Sequence, residues 1–169
     1  MAGLRTSRAP AAMVVQQWTL ADATELRSLR ASLRQTLDAE LLIPGRDSDV
    51  VIENVGIVAT ELTSNAVRHA RSPAVVTLSR NRHSVIVDVG DDQPSAAPQI
   101  TEHTSGGHGG RGIRIVQQLA TRTGWYVAEG TKHVWAQIHV PPSCRRWHAP
   151  LISVPGLRRM TRVFRRISE

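Results

Sequence analysis

The 169-residue chain has one cysteine, Cys144. No internal disulfide can form, and a metal site built on several thiolates is excluded. The lone thiol fits a cytoplasmic setting. Aromatic residues are scarce: four Trp, one Tyr and one Phe. The core must therefore come from Val, Ile, Leu and Ala. No apolar run approaches the roughly 18 residues that mark a membrane span. The stretch Ala9–Val15 runs into Gln16-Gln17 without a clean cleavage site, so residues 1–13 read as a flexible leader before a first strand. There is no G-x-x-x-x-G-K-[ST], which excludes a P-loop. No internal repeat is present.

Acidic residues are nearly missing from one end. Arg145 to Glu169 holds seven Arg and one acidic residue, a net +6. The overall +7 therefore leaves the first 144 residues at +1. Any attraction to nucleic acid or anionic lipid rests on this tail, residues 143–169. There Leu157, Met160, Val163, Phe164 and Ile167 alternate with Arg158, Arg159, Arg162, Arg165 and Arg166, the pattern of a basic amphipathic helix.

What is present organises residues 14–142 as one domain. Val14–Leu20 reads as a strand bearing Trp18. Asp22 and Glu25 have capping-box spacing, and Leu26, Leu29, Leu33 and Leu37 then predict a helix to about Glu40. A second helix, capped within Asp47–Asp49, runs to about Ala70 with the stripe Val51, Val55, Val58, Leu62 and Ala66. Ala74–Ser79 and Ser84–Val89 form a hairpin, and Trp125–Ala128 and His133–Val140 form another, turning at Glu129-Gly130-Thr131. Between the hairpins lie a glycine-rich stretch and a third helix, with Ile113, Val116, Gln117 and Ala120 facing the sheet. The order predicts an α+β two-layer α/β sandwich: a mixed, mostly antiparallel sheet covered on one face by helices.

Three segments carry candidate chemistry. Glu61, Asn65 and His69 are spaced i, i+4, i+8 and share a helix face. An amide oxygen suits magnesium and a carboxylate suits proton transfer. Alone, the three also fit an ordinary polar face. Asp91 ends a strand, where a carboxylate accepts a hydrogen bond from an exocyclic amine; it fits a turn aspartate as well. Gly106, Gly107, Gly109, Gly110 and Gly112 run directly into a helix start, as a phosphate cradle requires, and Arg111 adds a cation. A flexible linker would have similar composition. These glycines do not follow a parallel strand at dinucleotide spacing, which argues against a Rossmann site.

Together the segments resemble the GHKL ATPase superfamily, whose ATP site is the Bergerat fold, over roughly Trp18 to Val140. Glu61-Leu62-Thr63-Ser64-Asn65-Ala66-Val67-Arg68-His69-Ala70 matches its N-box. Val87–Pro94 matches the adenine-binding strand end, and Gly109-Gly110-Arg111-Gly112-Ile113 the second glycine box. Lys132-His133-Val134-Trp135 resembles the closing strand. Within the superfamily the chain looks like small anti-sigma-factor serine kinases. The resemblance implies ATP and Mg2+ as cofactors, with Asn65 on the metal, Glu61 as general base and Asp91 on the adenine amine. His69, Gly107, Gly109, Gly110, Arg111, Gly112, Ile113 and Lys132 complete the nucleotide-binding set. It further implies a sigma factor and an antagonist protein as partners, and a homodimer. Three departures stand out: Gln93 and Ser95 replace glycines, His133 replaces a Thr, and the Arg-rich tail is extra. A non-catalytic ATP-binding module that sequesters a partner is the alternative. A detached histidine-kinase transmitter is disfavoured, because no dimerisation helix pair with a phosphoacceptor His precedes the ATP region.

Overall fold

The computed structural model describes residues 4–69, 72–93 and 111–146. Five strands form one sheet: β1 (Met13–Leu20), β2 (Ala74–Arg80), β3 (Ser84–Asp91), β4 (Arg122–Ala128) and β5 (Thr131–His139), in the order β1-β2-β3-β5-β4. Every pair among them is antiparallel. The one parallel feature among the described residues is a bridge from Thr6 to Trp125. Three helices, α1 (Leu26–Thr36), α2 (Arg46–His69) and α3 (Arg111–Leu119), complete the α+β sandwich that the sequence predicts.

The local reasons are readable in the contacts. Asp22 takes an extended backbone and accepts from the Thr24 N–H at 2.7 Å, while Glu25 reaches back to the Ala21 N–H at 3.1 Å. Leu29, Leu33 and Leu37 are buried, as their spacing requires. The helix does not run evenly to Glu40. Leu37–Leu41 widens into a π-type turn closed by the Leu42 N–H on the Leu37 carbonyl at 2.8 Å. The α2 stripe of Val51, Val55, Val58, Leu62 and Ala66 is buried against the sheet. In α3, Ile113 and Val116 are buried but Gln117 is exposed, contrary to the predicted face. It lies about 100° around the helix from Val116, where an amide keeps its water. The β4–β5 turn has Glu129 and Gly130 both at positive φ, 53° and 78°, the geometry of the tight turn that twisted hairpins prefer.

Strand alternation sorts the sheet into two faces. Val85, Val87 and Val89 of β3, and Val134, Ala136 and Ile138 of β5, join the helices in one core. Ile86, Asp88, His133 and Trp135 fall on the other face. The segment before β1 reaches that second face. Arg5 and Ser7 bond the Trp125 backbone at 3.0 and 2.9 Å, and the Trp135 indole N–H donates to the Ser7 carbonyl at 2.7 Å. At the opposite end of the chain, Arg145 is buried and donates to the Arg82 carbonyl at 2.7 Å, and Arg146 bonds carbonyls of Leu41 and Leu42. Residues 147–169, with the amphipathic stretch of the tail, lie outside the described residues.

Candidate functional site

Asp91 continues the inward parity of Val85, Val87 and Val89, and Lys132 that of Val134, Ala136 and Ile138. They are direct partners across β3 and β5. Both side chains therefore lie on the helix-covered face at the end of the sheet. Asp91 is 5% exposed and Lys132 8% exposed. The Lys132 ammonium sits 3.2 Å from Asp91 Oδ2, and the Gln93 N–H donates to Oδ1 at 2.9 Å. At this depth an uncompensated charge is costly, so breaking the pair from one side would cost about 3–5 kcal/mol. The carboxylate still has acceptor capacity, because its two oxygens offer roughly four lone-pair sites.

On α2, Glu61 and Asn65 are half-buried one turn apart. Glu61 meets the first turn of α3. A Cβ built on Gly112 would lie 2.3 Å from Glu61 Oε2 and 3.3 Å from its Cδ. Gly112 is thus the second residue of α3 and lets the carboxylate lie flat against that helix. The partial positive charge of a helix N-terminus suits a carboxylate there, and would suit phosphate too. Arg111 opens α3 with an exposed side chain, whereas Ile113 points into the core. His69 closes α2. Gly107, Gly109 and Gly110, expected to wrap phosphates, lie outside the described residues, as does the His69 side chain. The structure thus joins the expected residues in two pairs, Asp91 with Lys132 and Glu61 with Gly112.

The donor set fits a magnesium nucleotide. Among the described residues no group of three His, Cys, Asp or Glu side chains could hold a metal ion on its own. Magnesium does not need one; it commonly takes one or two protein oxygens and fills its octahedron with phosphate and water. Asn65 would supply an oxygen of that kind.

The reading of the sequence missed a second polar cluster on the opposite face. Asp88 accepts from Tyr126 OH at 2.9 Å and pairs with His133 Nδ1 at 2.8 Å, and the Tyr126 and His133 rings stack 4.7 Å apart. Burial, then the Asp88 carboxylate, push the Tyr126 phenol well above its usual range. With Ala9, Pro10, Ile86 and Thr77 these residues line a cavity of about 260 Å³. His133, the departure at a Thr position, is explained by this cluster and faces away from Asp91. The signal was available: neighbours along a strand point to opposite faces, so His133 and Lys132 cannot serve one site.

Residues 19–138 match the family described as the histidine kinase-like ATPase domain. No curated protein matches the sequence. Among the described residues no helix is long and apolar enough to cross a membrane. With more than half its length matched and the antiparallel α/β sandwich in place, the chain belongs to the histidine kinase-like ATPase domain family, an ATP-binding branch of the GHKL-type superfamily.

Proposed function

We propose that this chain is a regulatory serine/threonine protein kinase of the anti-sigma-factor type, transferring the γ-phosphoryl group of ATP to an antagonist protein. The observation that carries the reading is Glu61, held by α2 against the first turn of α3, one helical turn from Asn65. Asn65 would hold magnesium, which would neutralise charge on the phosphates. Asp91 would accept from the adenine amine. Glu61 would take the proton of the attacking serine as its oxygen bonds phosphorus and the bond to ADP breaks. A sigma factor would be sequestered when the antagonist is modified. The test is incubation with labelled ATP and candidate antagonist proteins encoded nearby. Labelled serine, lost with Glu61→Ala while ATP binding persists, supports the kinase; unlabelled antagonist in every case refutes it.

One observation favours a second reading. The Glu61 carboxylate already rests on Gly112. A chain that only binds ATP and sequesters its partner would use Glu61 to dock α3 on α2. Glu61→Ala would then leave partner control unchanged in cells.

A further inference from the structure

We infer that Lys132 positions Asp91 as the base-reading acceptor of the site, so that a purine with an exocyclic amine is selected over one without. The inference rests on the nucleotide reading above and adds the residue that makes it work.

Asp91 is 5% exposed, so its neighbours in the protein rather than bulk water set how its carboxylate is turned. A carboxylate free to turn about its Cβ–Cγ bond aims no fixed lone pair at a ligand. It would then make a poorly directed acceptor for an amine. Lys132 removes that freedom. Strand pairing places it directly opposite Asp91, and its ammonium lies 3.2 Å from Oδ2. The Gln93 N–H fixes the other oxygen at 2.9 Å. These two donors hold the carboxylate in one orientation and leave its remaining lone pairs for a ligand.

Two other roles for Lys132 make different predictions. A lysine that only staples β3 to β5 would, on removal, weaken the fold and every nucleotide alike. A lysine that contacts phosphate would lower affinity for any triphosphate, whatever its base. Neither role changes a preference between bases.

The experiment therefore reads a ratio. Dissociation constants for ATP and for purine riboside triphosphate, which lacks the exocyclic amine, are measured by calorimetry on the full chain. The same is done with Lys132→Met, Lys132→Gln and Lys132→Arg. A hydrogen bond to a charged acceptor predicts a wild-type preference for ATP of about ten- to hundredfold. Lys132→Met and Lys132→Gln should bring the two constants to within about threefold of each other, and Lys132→Arg should keep most of the preference. If Met does not yield folded protein, the Gln variant decides. Retention of the full wild-type preference in either neutral variant overturns the inference while leaving the nucleotide reading intact. A wild-type chain that binds ATP tightly yet treats both nucleotides alike removes Asp91 as base reader, and this inference with it.

Discussion

On the proposed kinase reading, replacing Gly112 with alanine should separate catalysis from folding. The new methyl would sit 2.3 Å from Glu61 Oε2, 3.3 Å from Cδ and 3.5 Å from its Cβ. The first distance is impossible, the second is tight and the third is ordinary contact. The clashing atom is the far end of a flexible side chain, so Glu61 rotates aside and the backbone stays. A rotamer change of that kind costs about 0.5–1.5 kcal/mol. Alanine in a helix returns up to about 1 kcal/mol relative to glycine. The two effects nearly cancel, and stability should stay within about 1 kcal/mol of wild type, or about 2–4 °C in Tm. A carboxylate displaced by an ångström is a poor base, and misplacements of that size cost about a hundredfold in rate. The variant should therefore melt normally and bind ATP within about threefold, which is under 1 kcal/mol. Its single-turnover phosphotransfer should fall about a hundredfold. Thermal melting, calorimetry and quenched transfer assays measure the three quantities. Full retention of the rate would refute the placement of Glu61, and a large loss of stability would refute the reasoning that the side chain yields.

Gly124→Ala should behave in the opposite way. Its Cβ would meet Ser7 Oγ at 2.3 Å and two atoms of the Trp135 indole at 2.9 Å, and that ring is 1% exposed and cannot swing. The expected loss is about 2 kcal/mol, with Tm down by about 4–8 °C, and an unchanged melt would contradict the packing. Tyr126 is the sole tyrosine, so a phenolate absorbance titration reports it alone. Burial and Asp88 raise its pKa on folding, so this group stabilises the fold below the ordinary tyrosine range of about 10. That contribution is lost as pH rises through the folded value. Ionisation should begin well above the ordinary range and move back toward it in Asp88→Asn; titration at the free-tyrosine value would refute the cluster.

Much of the fold was legible because its signals are local. The leucine spacing of α1, the Val51–Ala66 stripe, the Asp22 cap and the Glu129-Gly130 turn each depend on residues within a turn or two of one another. The antiparallel sandwich followed from their order. The chemistry was legible only as residue types. Asp91 reads as a strand-end carboxylate, but its pairing with Lys132 depends on β3 lying beside β5, two elements removed in sequence. Gly112 reads as one more lid glycine. Only the approach of α3 to α2 turns it into the seat of the Glu61 carboxylate. The bonds of Arg5 and Ser7 to Trp125 left no periodic trace, because they are backbone contacts to a distant strand. The π-type turn at Leu37–Leu41 was hidden for a related reason. It lies where Leu41 and Ile43 bond the backbone of Arg146 and Cys144, more than 100 residues away in the chain, a contact the leucine pattern does not show.

The most direct test of the central claim is calorimetric titration of ATP into the purified chain with and without magnesium. The geometry predicts saturable binding with magnesium, weakened about tenfold, or 1.4 kcal/mol, by chelating the metal or by Asn65→Ala. Absence of saturable ATP binding in the presence of magnesium would contradict the assignment of Asn65, Asp91 and the first turn of α3 to a nucleotide.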